Sequence, residues 1–390
     1  MNYGSYSAQA TMAANNELDR EQMRKLSRDL DTMGEDGRPK KPLRIGRIIL
    51  GLLLAIVILI AAALLIVTVT EYRPKDVEEV TPPTGERTAK VGMELTVVSY
   101  NTGYAALGKD EDFFMDGGES TRPSSSSVVN AYMTGIASEL KRLHADIIFL
   151  QEVDTNSKRS YEIDQYSFYE RILETPGDFA YNFKSIYTPY PLNDMLGKVS
   201  SGLAVFTKFK VDSAERIQLP VPFSWPTRAF NLKRCLLVNR IPVEGTDKEL
   251  VTIDLHLEAY DDGEGKIAQT KQLYEFLEAE YKKGNYVIAA GDFNQTFPGA
   301  KEFPEITPGS WMPGTLENDL PEGFSFVFDP EEPTCRLLDK PYRGNEDPQY
   351  YIIDGFIISS NLTVGSVEVI DTGFANSDHR PVKLVFTIGE

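Results

Sequence analysis

One uncharged apolar run, Ile48–Val69, divides this sequence into two unequal parts, and only Gly51 and Thr68 in it fall outside the strongly apolar residues. A run of this length can cross the hydrocarbon core of a bilayer as a helix, because a helix satisfies its backbone hydrogen bonds internally. The residues after the run carry mixed charge, whereas the flank before it is basic, with Lys40, Lys41, Arg44 and Arg47. The positive-inside rule therefore predicts a cytoplasmic N-terminus.

The same run predicts how the chain is divided. The polar leader and the apolar run are both too long for a cleaved signal peptide, so we predict an uncleaved signal anchor at 48–69. Residues 1–47 are then a cytoplasmic tail, and residues 70–90, which include Pro82 and Pro83, are a linker. Residues 91–390 are predicted to form a single extracytoplasmic domain.

The overall charge limits the kind of partner. The chain has 40 Lys+Arg against 58 Asp+Glu, a formal net charge of −18. Such a surface repels polyanions on average, so nonspecific nucleic-acid binding through a broad basic face is disfavoured, although a local basic cleft is compatible with it. The two cysteines, Cys235 and Cys335, could form at most one disulfide, which the sequence alone does not establish.

The domain from Glu94 onward is predicted to be mixed α/β. Two segments, Ser124–Leu143 and Lys266–Lys283, keep their apolar residues on one helical face, and each immediately precedes an apolar strand. Short β-branched runs typical of strands recur at 95–100, 147–150, 203–206, 236–243, 250–257, 286–290, 352–358 and 382–387.

Polar side chains recur at the ends of these predicted strands, where loops expose side chains that a rigid sheet holds in place. Each one alone is compatible with a turn or cap residue. Together the acids are hard oxygen donors suited to Mg2+, Mn2+ or Ca2+, and zinc is disfavoured because no His and Cys cluster is present. The acids are Glu152, Asp292, Asp354 and Asp378, and they are accompanied by Asn101, Asn294, His256 and His379.

These positions resemble the motifs of the endonuclease/exonuclease/phosphatase superfamily, which includes pancreatic-type deoxyribonucleases, abasic endonucleases, neutral sphingomyelinases and inositol polyphosphate 5-phosphatases. The resemblance implies a four-layer sandwich of two packed mixed β-sheets flanked by helices, here preceded by one transmembrane helix. The motifs are Ser99-Tyr-Asn101, Leu150-Gln-Glu152, Ser201-Gly-Leu-Ala204, Asp254-Leu-His-Leu257, Gly291-Asp-Phe-Asn294, Ile353-Asp354 and Ser377-Asp-His379.

The resemblance also implies roles for the eight polar residues. Glu152 corresponds to the principal metal ligand, with Asn101 and Asp378 contacting the metal or its waters. Asp292 and Asn294 correspond to the pair that orients the attacking water and holds a phosphoryl oxygen. His379 and Asp354 form the family's His–Asp pair, and His256 corresponds to a phosphate-contacting histidine of deoxyribonucleases and sphingomyelinases.

Two positions differ from the pattern of the abasic endonucleases within this family. Gly103 stands where abasic endonucleases carry a second acid, and those enzymes lack the counterpart of His256. Both differences point away from base-excision repair.

We therefore predict a single-pass cell-membrane protein with an extracytoplasmic, Mg2+-dependent phosphoester hydrolase domain, with Mn2+ or Ca2+ as alternative ions. The substrate would be a lipid head group or a soluble phosphodiester, and DNA remains open. The alternatives are an extracellular endonuclease and a non-catalytic binding module of the same fold. No protein partner is predicted.

Three further segments have two interpretations each. The stretch Trp225–Arg234 contains Arg228, Lys233 and Arg234, which could clamp a phosphate; solvated cations on an edge loop are the preferred alternative. The aromatic segments Phe113–Met115 and Tyr187–Pro191 could line a substrate entrance or fill the core of a loop.

Overall fold

A computed structural model describes residues 5–33, 45–261, 263–343 and 348–389 of the chain. The chain forms two compact units, Met1–Leu65 and Ile66–Glu390. Two helices occupy the N-terminal region, α1 (Ser5–Thr32) and α2 (Ile45–Thr70).

Helix α2 contains the apolar run. Over Gly46–Thr70 it has a mean hydropathy of 3.3 and is unburied, and by length and composition it could cross a membrane. Lys40, Lys41 and Arg44 lie outside the described residues, so the cytoplasmic orientation of the N-terminus remains a prediction from the sequence.

The second unit contains three further helices and two large sheets. The helices are α3 (Ser126–Leu143), α4 (Gln165–Leu173) and α5 (Glu264–Lys282). The first strands are β1 (Val77–Val80), β2 (Ala89–Lys90), β3 (Glu94–Asn101), β4 (Ile147–Asp154), β5 (Gly177–Thr188), β6 (Gly197–Thr207), β7 (Ser213–Gln218), β8 (Cys235–Glu244) and β9 (Glu249–His256). The remaining strands are β10 (Tyr286–Asp292), β11 (Gln295–Thr296), β12 (Gly314–Thr315), β13 (Phe324–Val327), β14 (Cys335–Arg336), β15 (Tyr350–Tyr351), β16 (Asp354–Ser359), β17 (Leu362–Val369) and β18 (Val382–Ile388).

Both large sheets are mixed. The first has the order β1-β7-β8-β9-β10-β16-β13, with β2 paired to β8, and its β9–β10 pair is parallel. The second has the order β17-β18-β3-β4-β6-β5, and its β3–β4 pair is parallel. Two small two-stranded sheets, β11-β12 and β14-β15, stand apart.

The sheets pack face to face through alternate residues of their strands. On β4, Phe149 belongs to the core between the sheets, whereas its neighbours Ile148 and Leu150 belong to the core under α3 and α4. On β10, Ile288 faces the other sheet, whereas Val287 contacts the cluster that includes α5. This two-residue period gives each sheet two buried faces and confirms the four-layer sandwich.

The domain begins earlier than the sequence predicts. Strand β1 pairs antiparallel with β7, and Ala89 and Lys90 pair with β8, so both strands within the predicted linker 70–90 belong to the first sheet. The boundary at residue 91 is therefore wrong. Strand pairing depends on main-chain hydrogen bonds to a partner, which the charged sequence of β1 does not reveal.

Candidate active site

Strand register brings three of the predicted residues into one row of the first sheet. Asp292 at the end of β10 pairs with His256 of the parallel strand β9 and with Asp354 of the antiparallel strand β16. Paired residues present their side chains on the same face of a sheet, so these three groups converge. The row lies at the carboxyl end of β9 and β10.

The second sheet contributes Asn101 and Glu152 from the ends of β3 and β4. Asn101 pairs with Gln151 in the parallel register, and Glu152 lies in a bulge of β4 between Leu150 and Val153 with φ of 57°. A bulge redirects a side chain, and positive φ is uncommon for a residue with a Cβ. The strained backbone at Glu152 thus coincides with the residue assigned as principal metal ligand.

The two sheets meet directly at Asp292. The Asn101 Nδ2 donates to Asp292 Oδ2 at 3.0 Å and lies 3.4 Å from Glu152 Oε1. The backbone N–H of Asn294 donates to Asp292 Oδ1 at 2.8 Å, so donors hold both oxygens of this carboxylate. Burial raises the pKa of Asp292 to about 7, and the nearby Asp354 carboxylate adds to that rise.

His379 and Asp354 form a close pair. The His379 Nδ1 lies 2.8 Å from Asp354 Oδ2, and its Nε2 lies 3.8 Å from Asp292 Oδ2. Burial lowers the pKa of His379, but Asp354, Cys335 and Asp378 together outweigh it and raise the pKa well above the usual range. His379 is therefore an imidazolium held with one N–H on Asp354.

His256 has the opposite electrostatic character although it lies in the same cluster. Its Nε2 is 3.4 Å from Asp292 Oδ2 and 3.9 Å from Glu152 Oε1. Burial lowers the pKa of His256 well below its usual range, and the cations Arg234 and His379 lower it further. His256 is therefore a neutral imidazole, able to donate one N–H without carrying charge.

The side-chain amide of Asn294 is fixed by a hydrogen bond within the fold. Its Nδ2 donates to the carbonyl oxygen of Leu257 at 2.8 Å, which leaves one further N–H on that amide. Its φ of 50°, and the φ of 150° at Gly291, show a tightly bent strand end. A Cβ at Gly291 would lie 1.9 Å from the Leu255 carbonyl oxygen, so only glycine fits there.

Asp378 approaches the cluster from the loop before β18. Its Oδ2 lies 3.9 Å from His379 Nε2, and Ser377, the residue before it, donates from Oγ to the Asn101 carbonyl at 2.8 Å. Burial raises the pKa of Asp378 to about 7, with His379 opposing the rise and Glu152 adding to it. Gly103, with φ of 51°, lies beside this carboxylate, and a Cβ there would lie 2.8 Å from Asp378 Oδ1.

The carboxylate oxygens of this cluster are the type of donor that hard divalent cations prefer. Within the described residues, two buried groups have ligand atoms mutually within 4.8 Å, namely Asp292 with Asp354 and His379, and Cys335 with Asp378 and His379. Glu152 adds a further carboxylate, whose negative charge raises the pKa of Asp378, and a bound cation would relieve this repulsion. Glu152 is outside both groups, so its role as principal ligand remains a prediction.

A cavity of about 420 Å3 opens onto these side chains. Glu152, Asp292, Asn294, Asp378 and both site histidines line it. It is also lined by Phe113, Phe114, Met115, Pro189 and Tyr190, so both aromatic segments form part of its wall, as predicted for a substrate entrance.

The preferred interpretation of the 225–234 segment was wrong. Arg234 is buried, lines the cavity, lies 3.4 Å from Glu258 and donates to the His256 carbonyl at 3.1 Å. Lys233 is buried as well, and Arg228 binds Glu71 at 2.8 Å. Lys233 and Arg234 are thus buried against the domain, whereas the Arg228 side chain stays 38% exposed beside its partner Glu71.

Sequence reasoning missed two residues beside the site. Tyr104 is buried in the cavity wall with φ of 40°, and the guanidinium of Arg159 lies 3.6 Å from the centre of its ring. Arg159 in turn forms a buried ion pair with Asp154 at 2.9 Å. Tyr104 could have been found from its position three residues after Asn101, whereas Arg159 carries no local signal. Cys235 and Cys335 are both buried free thiols.

Comparison with known proteins places the chain in a family. The profile of the Endonuclease/Exonuclease/phosphatase family matches residues 99–379, and the chain belongs to that family. Enzymes of this family are generally metal-dependent phosphoester hydrolases. A comparison with curated protein sequences gives no match.

Solved structures that are similar to this chain have low sequence identity to it. An endonuclease/exonuclease/phosphatase protein from Beutenbergia cavernae DSM 12333 is 18% identical, with a TM-score of 0.52 over 76% of this chain and 72% of that one. TDP2 from Caenorhabditis elegans is 15% identical (TM-score 0.46; 76% and 75% covered), and the human Nocturnin catalytic domain is 18% identical (TM-score 0.45; 80% and 97% covered).

Proposed function

We propose that this chain is a membrane-anchored, Mg2+-dependent phosphoester hydrolase whose catalytic domain lies outside the cytoplasm. The observation that carries the proposal is the hydrogen bond from Asn101 of one sheet to Asp292 of the other, beside two histidines that line the same cavity. Hydrolysis of a phosphoester requires an oriented water and compensation of negative charge, and these groups are suited to both.

Each residue of the proposed site has a distinct task. Asp292, held by Asn101 and Asn294, accepts a proton from the attacking water, since its raised pKa allows proton exchange near neutral pH. The imidazolium of His379, fixed by Asp354, stabilises the negative charge that develops on the phosphoryl oxygens. Neutral His256 and the free N–H of Asn294 donate to phosphate oxygens without adding charge.

The metal is assigned to the acidic side of the cluster. Glu152, Asp378 and Asn101 would hold a divalent cation, which when bound neutralises charge on the phosphate. Mg2+ is the proposed ion because the donors are oxygens, and Mn2+ or Ca2+ would bind the same kind of ligand.

The proposal is tested with full-length protein in detergent and bis(p-nitrophenyl) phosphate. We expect hydrolysis that requires Mg2+ or Mn2+, is abolished by EDTA, and falls at least about a hundredfold in Glu152→Gln. Glu249→Gln is the matched control, since Glu249 has a side-chain exposure similar to that of Glu152 and does not line the cavity. Metal-independent hydrolysis, or equal activity in both variants, would contradict the proposal.

A wider substrate set separates the alternatives. Plasmid nicking faster than hydrolysis of the small ester would favour an extracellular endonuclease. No hydrolysis of sphingomyelin, phosphoinositides, nucleotides or DNA, together with no divalent-metal binding, would favour a non-catalytic module.

The proposed topology has its own test. A membrane-impermeant protease added to intact cells should digest the domain after residue 70 and leave an epitope at the N-terminus intact. Protection of the domain with loss of the N-terminal epitope would reverse the proposed orientation.

A further inference from the structure

The cavity beside the catalytic side chains has an apolar wall, formed by Phe114, Phe183, Tyr190, Leu196 and Leu232. Four of these residues pack in one cluster, and the ring of Tyr190 lies 5.4 Å from that of Phe114 in an edge-to-face contact. Hydrolysis of a phosphate group by itself needs no such surface. An apolar wall in a cavity stabilises the apolar part of a bound molecule.

The apolar wall continues onto the outside of the domain. Tyr190 is 58% exposed, and its sequence neighbours Ile186 and Leu192 are 57% and 79% exposed. Large apolar side chains exposed together usually mark a surface for a protein or a membrane. Of these three residues, Tyr190 also lines the cavity.

A buried donor in the same wall lacks a partner. The Asn182 Nδ2 has no hydrogen-bond partner in the described part of the chain, although Asn182 is 2% exposed and lines the cavity. An unsatisfied buried amide carries a free-energy cost that an acceptor on a ligand would remove. The cavity therefore offers a hydrogen-bond donor directly beside its apolar surface.

The chain leaves the domain next to this cavity. Glu71 follows the last residue of the apolar helix, and its side chain is only 1% exposed. It accepts hydrogen bonds from Arg228 at 2.8 Å and from Arg73 at 2.9 Å, and lies 3.8 Å from Lys233 Nζ. Arg228 and Lys233 belong to the segment 226–234, six of whose residues line the cavity: Pro226, Thr227, Phe230, Asn231, Leu232 and Arg234. Glu71 thus fixes the membrane-proximal chain to a cavity-lining segment.

We propose that the substrate is a membrane lipid with a phosphoester head group, drawn from the bilayer that holds the apolar helix; this rests on the proposed hydrolase function. The phosphate lies at Asp292 and His379, the hydrocarbon part on the apolar wall, and Asn182 donates to an oxygen where the two parts join. Water adds to phosphorus, the P–O ester bond breaks, and the leaving oxygen takes a proton, so no further reactant is needed.

The first experiment compares methyl p-nitrophenyl phosphate with octyl p-nitrophenyl phosphate, using full-length protein in detergent and Mg2+. These diesters differ only in hydrocarbon length. We expect kcat/KM at least about tenfold higher for the octyl ester, since each buried methylene contributes roughly a fourfold factor. Tyr190→Ser should reduce this ratio at least about threefold, and Val364→Ser, an exposed position on β17, should leave it unchanged.

The second experiment tests the bilayer as the source of substrate. Full-length protein is reconstituted in phosphatidylcholine vesicles that contain hexadecyl p-nitrophenyl phosphate. We expect Glu71→Gln to slow hydrolysis of this embedded ester at least about fivefold, with unchanged turnover of the soluble methyl ester. Glu79→Gln, at an exposed position in β1, is the control.

The outcomes separate this inference from the function on which it rests. Hydrolysis of the methyl and octyl esters at equal kcat/KM, with the embedded ester resistant, would overturn the lipid substrate and leave the hydrolase intact. No hydrolysis of either soluble ester would overturn the hydrolase itself and the lipid proposal with it.

Discussion

Two groups of buried carboxylates lie in this domain, and what surrounds them differs. Asp292, Asp354 and Asp378 lie in one cluster with His379, at hydrogen-bond or ion-pair distance from it, and two of them line the cavity. Asp178 and Asp254 lie between the sheets, where their side-chain partners are amides: Asn239 at 3.3 Å and Gln151 at 2.6 Å.

The inter-sheet pairs bridge the two sheets, and no cationic side chain in the described part of the chain contributes to the pKa shift of either acid. Burial raises the pKa of Asp178 to about 7 and that of Asp254 well above its usual range. In each pair, the second carboxylate oxygen and the amide oxygen have no hydrogen-bond partner within the described residues. A proton on the acid would allow its second oxygen to donate to the amide oxygen and would satisfy both atoms. Burial of an acid is therefore not by itself a sign of catalysis. The proposed catalytic acids differ from the inter-sheet acids in having a cationic neighbour and, for two of them, an open cavity.

The largest expected effect is a difference in kcat between Asp→Asn substitutions in the two groups of acids. Asp292→Asn should lower kcat at least about a hundredfold, because it removes the group that accepts the proton from water. Asp254→Asn should change kcat less than about threefold, because an amide can replace a protonated acid against Gln151. Steady-state hydrolysis of bis(p-nitrophenyl) phosphate measures both, and equal losses would contradict the distinction.

The two site histidines offer a second, smaller contrast. His379→Gln removes a positive charge and should lower kcat about a hundredfold, whereas His256→Gln keeps a neutral donor and should cost at most about tenfold. Circular dichroism of both variants confirms that they are folded. A larger loss in His256→Gln would show that the charge assignments are reversed.

We expect the inter-sheet acids to make the stability of the domain depend on pH. Folding raises the pKa of Asp178, so the folded state binds its proton more tightly than the unfolded state does. The contribution of Asp178 to the free energy of unfolding is therefore present at low pH and lost as the pH rises from about 4 to about 7. Asp178→Asn should abolish this dependence and raise the free energy of unfolding at pH 8 by on the order of 2 kcal/mol.

Urea unfolding of the full-length protein in detergent, followed by tryptophan fluorescence at several pH values, measures this effect. Asp247→Asn, at an exposed position, is the control and should not alter the pH dependence. A variant at Asp178 that is less stable than the wild type at pH 8 would show that this carboxylate is ionised and stabilising.

The sequence predicted the central strands because their alternating apolar residues have two buried faces. The runs around Phe149 and Ile288 are examples, and both lie where expected. The sequence did not predict β17 or β1. The residues of β17 are largely exposed, and β1 contains two glutamates, so neither strand has a clear apolar pattern. Edge strands depend on the partner strand and not on their own apolar content.

The candidate site was predictable as a set of residues but not as a geometry. Asp292 and His379 were visible because strand-end motifs carry them. The bulge at Glu152, the buried Arg159 on Tyr104 and the pairing of Arg234 with Glu258 depend on tertiary contacts between distant segments. No local pattern specifies such contacts.

The central claim is that side chains from both sheets act as one catalytic unit. A double-mutant cycle of Glu152→Gln and Asp292→Asn, measured by kcat/KM on bis(p-nitrophenyl) phosphate with saturating Mg2+, tests it most directly. Residues that act as a unit are strongly non-additive, so the double variant should lose no more than about tenfold beyond the worse single variant. Losses that multiply in full would show that the two residues contribute independently and that the proposed single centre is wrong.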